Sequence, residues 1–330
     1  MIRRKPNGLT RRRFLRRALG AGAGAGLLVL ARPLPGADPT DPLPTRTLGR
    51  TGAKVSILGL GTAPIGEGPP DTDEAERIFG EVLDRGVTYV DTARGYGNAE
   101  EALGRIVPKR RDRLFLVTKL WTDSAAKAER LLATSLRTLK VDHLDLVHIH
   151  HVGGKNVDKV LAKDGILRFL LKEKEKGTLR FIGCSGHARP PRFLEAMKTG
   201  EIDVVMPVMN YCDIHNYKFE TTVLPECRRQ NLGAVAMKVY AGIKGGFKNH
   251  RKGHVGCVTE PERLPLAMAW ALDLPGVSVA NVGPYTMAQA VQNVDFARNY
   301  KPLTKQQRAD LEALGKRRAP KLGCRYGPPA

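Results

Sequence analysis

From about residue 57 to residue 300, short apolar runs alternate with segments whose apolar residues recur at helical spacing. No other feature of the chain constrains its fold as strongly. The runs at 57–60, 87–91, 114–119, 144–150, 179–184, 203–206, 234–237 and 277–282 read as strands. The first intervening helix starts at Asp71 with Glu74 three residues on, carries Ala75, Ile78, Phe79, Val82 and Leu83 on one face, and stops at Gly86. Further helices are predicted at 100–107, 125–139, 158–176, 191–198, 219–229, 262–272 and 287–300. Eight strand–helix units without a long antiparallel stretch predict a closed parallel barrel, the TIM (β/α)8 fold. An open doubly wound sheet would carry Gly-x-Gly-x-x-Gly after its first strand. Here Gly59-Leu60-Gly61 lacks the third glycine and leads into a proline-rich loop. Ahead of the barrel, residues 45–55 enclose Gly49-Arg50-Thr51-Gly52 and read as a β-hairpin. The barrel is expected to span 45–300, with a C-terminal helix and tail at 301–330.

The net charge of +21 would fit a nucleic-acid binder, but nine of the 54 basic residues fall in residues 1–36, which hold no acid. Setting them aside leaves 45 basic and 33 acidic residues, a net charge of +12, spread without an aromatic-interleaved basic motif. Nucleic acid is therefore not an expected partner. Thr10-Arg11-Arg12-Arg13-Phe14-Leu15 followed by a Gly/Ala/Leu run to Ala31 has the anatomy of a signal peptide, and its paired arginines resemble the twin-arginine export signal. The expected location is periplasmic or otherwise extracytoplasmic, either after cleavage near Ala37 or with the segment kept as a membrane anchor. The export machinery is then a partner. The five cysteines are odd in number and form no C-x-x-C pair, so neither a disulfide framework nor a four-cysteine metal site is indicated.

In a barrel of this kind the reactive groups stand at the C-terminal ends of the strands. Asp91 ends the second strand, Tyr96 follows in its loop, Lys119 ends the third and His150 the fourth. A lysine ammonium beside a tyrosine favours the phenolate and is expected to lower the tyrosine pKa, while a carboxylate holds the lysine charged and in place. Such a group, with a histidine across the pocket, suits proton donation to a carbonyl oxygen while hydride reaches carbon. Each residue alone has a structural explanation as cap, packing or snorkelling group. Four at successive strand ends point to one site.

Three blocks resemble the aldo-keto reductases: Tyr89-Val90-Asp91-Thr92-Ala93-Arg94-Gly95-Tyr96-Gly97, Val117-Thr118-Lys119-Leu120-Trp121, and Leu144-Asp145-Leu146-Val147-His148-Ile149-His150. The resemblance implies an NAD(P)(H)-dependent oxidoreductase that interconverts an aldehyde or ketone and an alcohol. It makes Tyr96 the general acid/base, with Lys119 and Asp91 tuning it, His150 orienting the carbonyl and Trp121 lining the substrate pocket. It also implies a cofactor, NADP(H) or NAD(H), held by Ser185, Lys238, Gly283, Gln289 and Asn293. The cofactor side departs from the family pattern: Gly186 replaces an Asn, Met206 a carboxamide-binding Gln, Met237 a stacking aromatic, and Tyr285 an Arg. The tail around Cys324 resembles the iron–sulfur tail of some relatives but keeps one cysteine, so no cluster is expected.

Two other readings fit parts of the chain. The cofactor-side departures would also suit a barrel that binds a nucleotide or other ligand without turnover. His148 and His150, with His187 and His215, would suit a metal-dependent hydrolase, although the last strand lacks the Asp such enzymes use, and His148 is expected to pack one layer below His150. If the protein is exported, a nicotinamide cofactor is expected to be loaded beforehand and held through turnover. The loops at 211–219 and 240–258 are expected to set specificity, and the basic stretch 244–254 points towards an anionic substrate.

Overall fold

The computed structural model describes residues 42–245, 249 and 256–330. The export segment expected at 1–36 and most of the basic stretch at 244–254 lie outside them. The chain opens with the expected hairpin, β1 (Thr45–Thr47) paired antiparallel with β2 (Lys54–Ser56). Its tip requires glycine: Gly49 has φ +49°, and a Cβ there would lie 2.3 Å from the backbone of Leu232 and Gly233. The hairpin therefore sits tightly on the N-terminal end of the strand that begins at Gly233, with Leu48 fully buried beneath it.

The eight barrel strands are β3 (Leu58–Gly61), β4 (Tyr89–Asp91), β5 (Phe115–Leu120), β6 (Leu144–Ile149), β7 (Leu179–Gly186), β8 (Val204–Pro207), β9 (Gly233–Met237) and β10 (Val277–Val282). All neighbouring pairs are parallel, and β10 closes against β3. Burial of these strands inside a ring of helices explains their near-continuous apolar runs. The helix Thr72–Asp84 is capped by Asp71, whose side chain accepts from the Glu74 backbone N–H, and it buries the five residues its spacing singled out. The helices Ala125–Leu139 and Phe219–Arg229 have the expected limits.

One expected helix is two. The stretch 158–176 forms Val157–Leu161 and Ile166–Glu175, separated at Gly165. Gly165 forms an antiparallel bridge with Ser124, and a Cβ on it would lie 2.3 Å from the Lys159 carbonyl. The chain doubles back onto the first helix there, which only glycine allows. After the barrel, Lys305–Leu322 is a helix capped reciprocally by Thr304 and Gln307. It ends at Gly323 (φ +56°), and the tail turns back towards the C-terminal face of the barrel. Among the described residues, no helix is long and apolar enough to cross a membrane, and all five cysteines are free.

Candidate active site

Asp91, Tyr96, Lys119 and His150 meet at the C-terminal face because their strands β4, β5 and β6 are consecutive in the barrel. Lys119 is 1% exposed, and its Nζ donates to Asp91 Oδ2 and to the Thr92 carbonyl, each at 2.8 Å. The same Nζ lies 4.6 Å from the centre of the Tyr96 ring. Burial pulls the lysine pKa down, but the charges of Asp91 and Tyr96 outweigh it and the net shift is upward, so Lys119 stays an ammonium. Burial raises the Asp91 pKa against the opposing pull of Lys119.

The expectation for Tyr96 needs correction. Lys119 does act to lower its pKa, but burial acts the other way and is larger, so the hydroxyl titrates above its ordinary range. A raised pKa keeps Tyr96 protonated at neutral pH, the form that can donate a proton. His150 lies edge-on to Tyr96, with ring centroids 5.8 Å apart. Burial and the nearby Lys119 push its pKa well below the usual histidine range, so the imidazole is neutral. His148 is fully buried one layer below, packed against Gly183, where a Cβ would lie 2.4 Å from its Nδ1. Among the described residues, no three His, Cys, Asp or Glu side chains gather where they could hold a metal ion.

Asp91, Tyr96 and His150 line a cleft of about 690 Å³. Trp121 is 58% exposed at its edge, with ring centroids 5.2 Å from His150 and 5.6 Å from His151. The arc of rings continues from His151 to His187 and on to Tyr326 of the tail. The Tyr326 backbone N–H donates to the Tyr217 hydroxyl, and Arg325 is held by Asp213 at 2.9 Å and the Ala241 carbonyl at 2.8 Å. The tail that resembled a degenerate cluster site is thus part of the cleft wall.

Of the residues expected on the cofactor side, Lys238, Gly283, Gln289 and Asn293 line the same cleft. Lys238 lines it from a left-handed backbone position (φ 57°), its pKa pulled down to about 8 mainly by burial. Gly283 lines it where the backbone passes so close to Pro64 and the Gly61 carbonyl that a Cβ would lie 2.4 and 2.6 Å from them. Gln289 accepts from the Tyr285 backbone N–H at 2.8 Å, and Asn293 accepts from the Tyr240 hydroxyl at 2.8 Å. Ser185 and Lys119 do not line the cleft. Ser185 is 1% exposed at the end of β7, and its Oγ is buried without a hydrogen-bond partner. Met206 and Met237 also line the cleft. Sequence reasoning did not place Asn281, which donates to Asp91, in this site, nor His151, Arg325 and Tyr326 in its wall, and it weighed His187 only as a metal ligand.

Comparison with known proteins agrees with this geometry. Residues 57–263 match the model of the aldo/keto reductase family. The chain is 31% identical over 296 residues to the uncharacterized oxidoreductase YrpG of Bacillus subtilis (strain 168), covering 73% of this chain and 87% of that protein. It is 26% identical over 280 residues to L-galactose dehydrogenase of Arabidopsis thaliana, covering 76% and 86%. Among solved structures, the holo form of aldo-keto reductase AKR11C1 from Bacillus halodurans superposes with a TM-score of 0.67 at 25% identity, covering 82% of this chain and 96% of that one. With its closed barrel, the hairpin beneath it and the Asp–Tyr–Lys–His group at the strand ends, the chain belongs to the aldo/keto reductase family of oxidoreductases.

Proposed function

We propose that Tyr96, Lys119, Asp91 and His150 carry the interconversion of a carbonyl and an alcohol in this oxidoreductase. The observation that carries the assignment is the placement of Lys119: its ammonium is fixed by Asp91 and Thr92 while facing the Tyr96 ring. The carbonyl oxygen of the substrate lies between the Tyr96 hydroxyl and the His150 imidazole. In reduction Tyr96 passes its proton to that oxygen, and Lys119 stabilises the phenolate left behind. The neutral His150 donates a hydrogen bond to the same oxygen and fixes the face presented for reaction. In oxidation the phenolate takes the proton back from the alcohol. Trp121 and the histidines beside it form the substrate wall.

The cofactor is a nicotinamide nucleotide, NADP(H) or NAD(H), which supplies or accepts the hydride. The residues present fit it. Ser185 offers a buried hydroxyl without a protein partner, Gly283 gives a side-chain-free surface, and Lys238, Gln289 and Asn293 supply polar groups along the cleft. The test is turnover by the protein lacking residues 1–36 with each nucleotide and a panel of aldehydes and ketones, following nicotinamide absorbance. Turnover of one class with either nucleotide supports the assignment. Nucleotide binding without turnover across the panel would favour a binding barrel instead.

The segment Thr10–Arg17 supports export by the twin-arginine route to an extracytoplasmic compartment, with the nucleotide loaded before transit and held afterwards. Cell fractionation tests this. Replacing Arg11 and Arg12 with Lys is expected to leave the protein in the cytoplasm, and an unchanged distribution would sink the idea.

A further inference from the structure

The last barrel strand reaches Asp91 without being its neighbour. In the barrel order β3 lies between β10 and β4. Asn281 of β10 is in register with Gly59, and Asp91 of β4 with Gly61. Nevertheless Asn281 Nδ2 donates to Asp91 Oδ2 at 2.8 Å, the oxygen that also takes the Lys119 bond. A side chain can cross the face of an intervening strand only where that strand presents no side chain.

β3 meets this condition by its sequence, Leu58-Gly59-Leu60-Gly61. Alternate residues of a strand share a face, so the two glycines leave one face bare. A Cβ at Gly59 would lie 3.0 Å from Asn281 Oδ1 and 2.8 Å from the Tyr89 ring. One at Gly61 would lie 3.3 Å from Asn281 Oδ1 and 3.2 Å from the Gly283 nitrogen. The space the glycines free is the space the asparagine occupies.

The amide is a poor choice for packing alone. Asn281 Oδ1 is buried without a partner, and its Nδ2 otherwise meets only the Met206 sulfur, at 3.6 Å. An orphaned buried carbonyl is unfavourable, and leucine would fill the same space without that cost. What leucine cannot do is donate to Asp91. An aspartate there would set a second carboxylate against the first.

We propose that Asn281 is a positioning residue for the reaction, fixing the Asp91 carboxylate so that it holds the Lys119 ammonium against Tyr96. The proposal rests on the reductase reading of the Tyr96 group. Asp91 Oδ2 accepts from both Lys119 and Asn281, while its Oδ1 has no partner. Without the amide, one charged contact alone would orient the carboxyl group. Both donors also favour the ionised carboxylate against its burial.

Two substitutions separate this role from packing. Asn281→Leu keeps the bulk and removes the donor. Its kcat for carbonyl reduction is expected to fall about tenfold, as when an outer-shell group that orients a reacting residue is lost. Its affinity for nucleotide is expected to match that of the wild type. The Asp91 carboxyl, followed by carbon NMR, is expected to titrate at higher pH than in the wild type. Asn281→Asp keeps the shape and places two carboxyls side by side. It is expected to work at low pH, where they share a proton, and to lose activity as the second ionises. The proposal is overturned if Asn281→Leu binds nucleotide normally and keeps the wild-type kcat, pH profile and Asp91 titration. A wild-type pH profile in Asn281→Asp overturns it equally, and that variant decides the matter if the leucine protein does not fold. Should the wild-type enzyme reduce no carbonyl at all, the reductase reading fails, while the Asp91 titration still decides the role of Asn281.

Discussion

The two ends of the cleft are held together differently. At the Tyr96 end the buried charges are matched within the protein: Lys119 against Asp91, with Thr92 and Asn281 completing their bonds at 2.8 Å. On the cofactor side the bonds are between neutral groups, Gln289 accepting from the Tyr285 backbone N–H and Asn293 from the Tyr240 hydroxyl. Met206 and Met237 contribute no strong hydrogen-bonding group to the wall, and the Ser185 hydroxyl, which does not line the cleft, is buried without a protein partner. The first end is organised before any ligand arrives, so its reorganisation on reaction is small, which is what electrostatic catalysis requires. The second end keeps polar capacity for a ligand and depends on that ligand for part of its order. Substitutions at the first end should therefore act on turnover and fold stability, and those at the second on nucleotide affinity.

The largest effect is expected at Tyr96. Tyr96→Phe removes the proton donor and should lower kcat for reduction by about 10²–10⁴-fold with nucleotide affinity unchanged, measured by steady-state turnover and fluorescence titration. The wild-type pH profile has a definite sign. The Tyr96 pKa is raised, so reduction should be flat through neutral pH and fall as pH climbs through that raised value. Oxidation, which needs the phenolate, should rise over the same range. Opposite slopes would mean that another group donates the proton.

Lys119→Met comes next. It leaves the Asp91 carboxylate buried without its counter-charge and should cost about 3–5 kcal/mol of stability in chemical denaturation. Adding Asp91→Leu should recover much of that stability and none of the activity, which separates the two roles of the pair. Ser185→Ala sharpens the contrast at the other end. It should weaken nucleotide binding by about tenfold, the worth of one hydrogen bond, and leave the nucleotide-free protein as stable or more so, because it removes an orphaned hydroxyl. A large loss of stability there would show that both ends are organised alike. The smallest effect is expected for Trp121→Ala, which should raise KM for the carbonyl a few-fold while changing stability by less than about 0.5 kcal/mol, as at other exposed positions.

Much of this site was legible in the sequence because strand ends are local features. Asp91, Lys119 and His150 end apolar runs, and the barrel inference places such residues on one rim. The glycines of β3 were also visible, where they spoke against a dinucleotide turn, but it was their alternation that was the signal for Asn281. The tail offered a different obstacle. Cys324-Arg325-Tyr326 drew notice for its cysteine, whereas the side chains that reach the cleft are the two that follow. The split at Gly165 was missed because the apolar spacing on either side stays in helical phase.

What the sequence determined by itself was the order of elements, the closed parallel barrel and the residues that stand at its C-terminal rim. Those follow from periodicities over a few residues and from the short reach of the connections. Only the tertiary structure decided that Asn281 crosses β3 to Asp91, that the tail after Leu322 walls the cleft, and that the Tyr96 pKa rises rather than falls. Each of these depends on barrel closure, which sets distances between residues far apart in the chain. For Tyr96 it also sets how much water is removed from around the hydroxyl, and that desolvation exceeds the pull of the nearby ammonium.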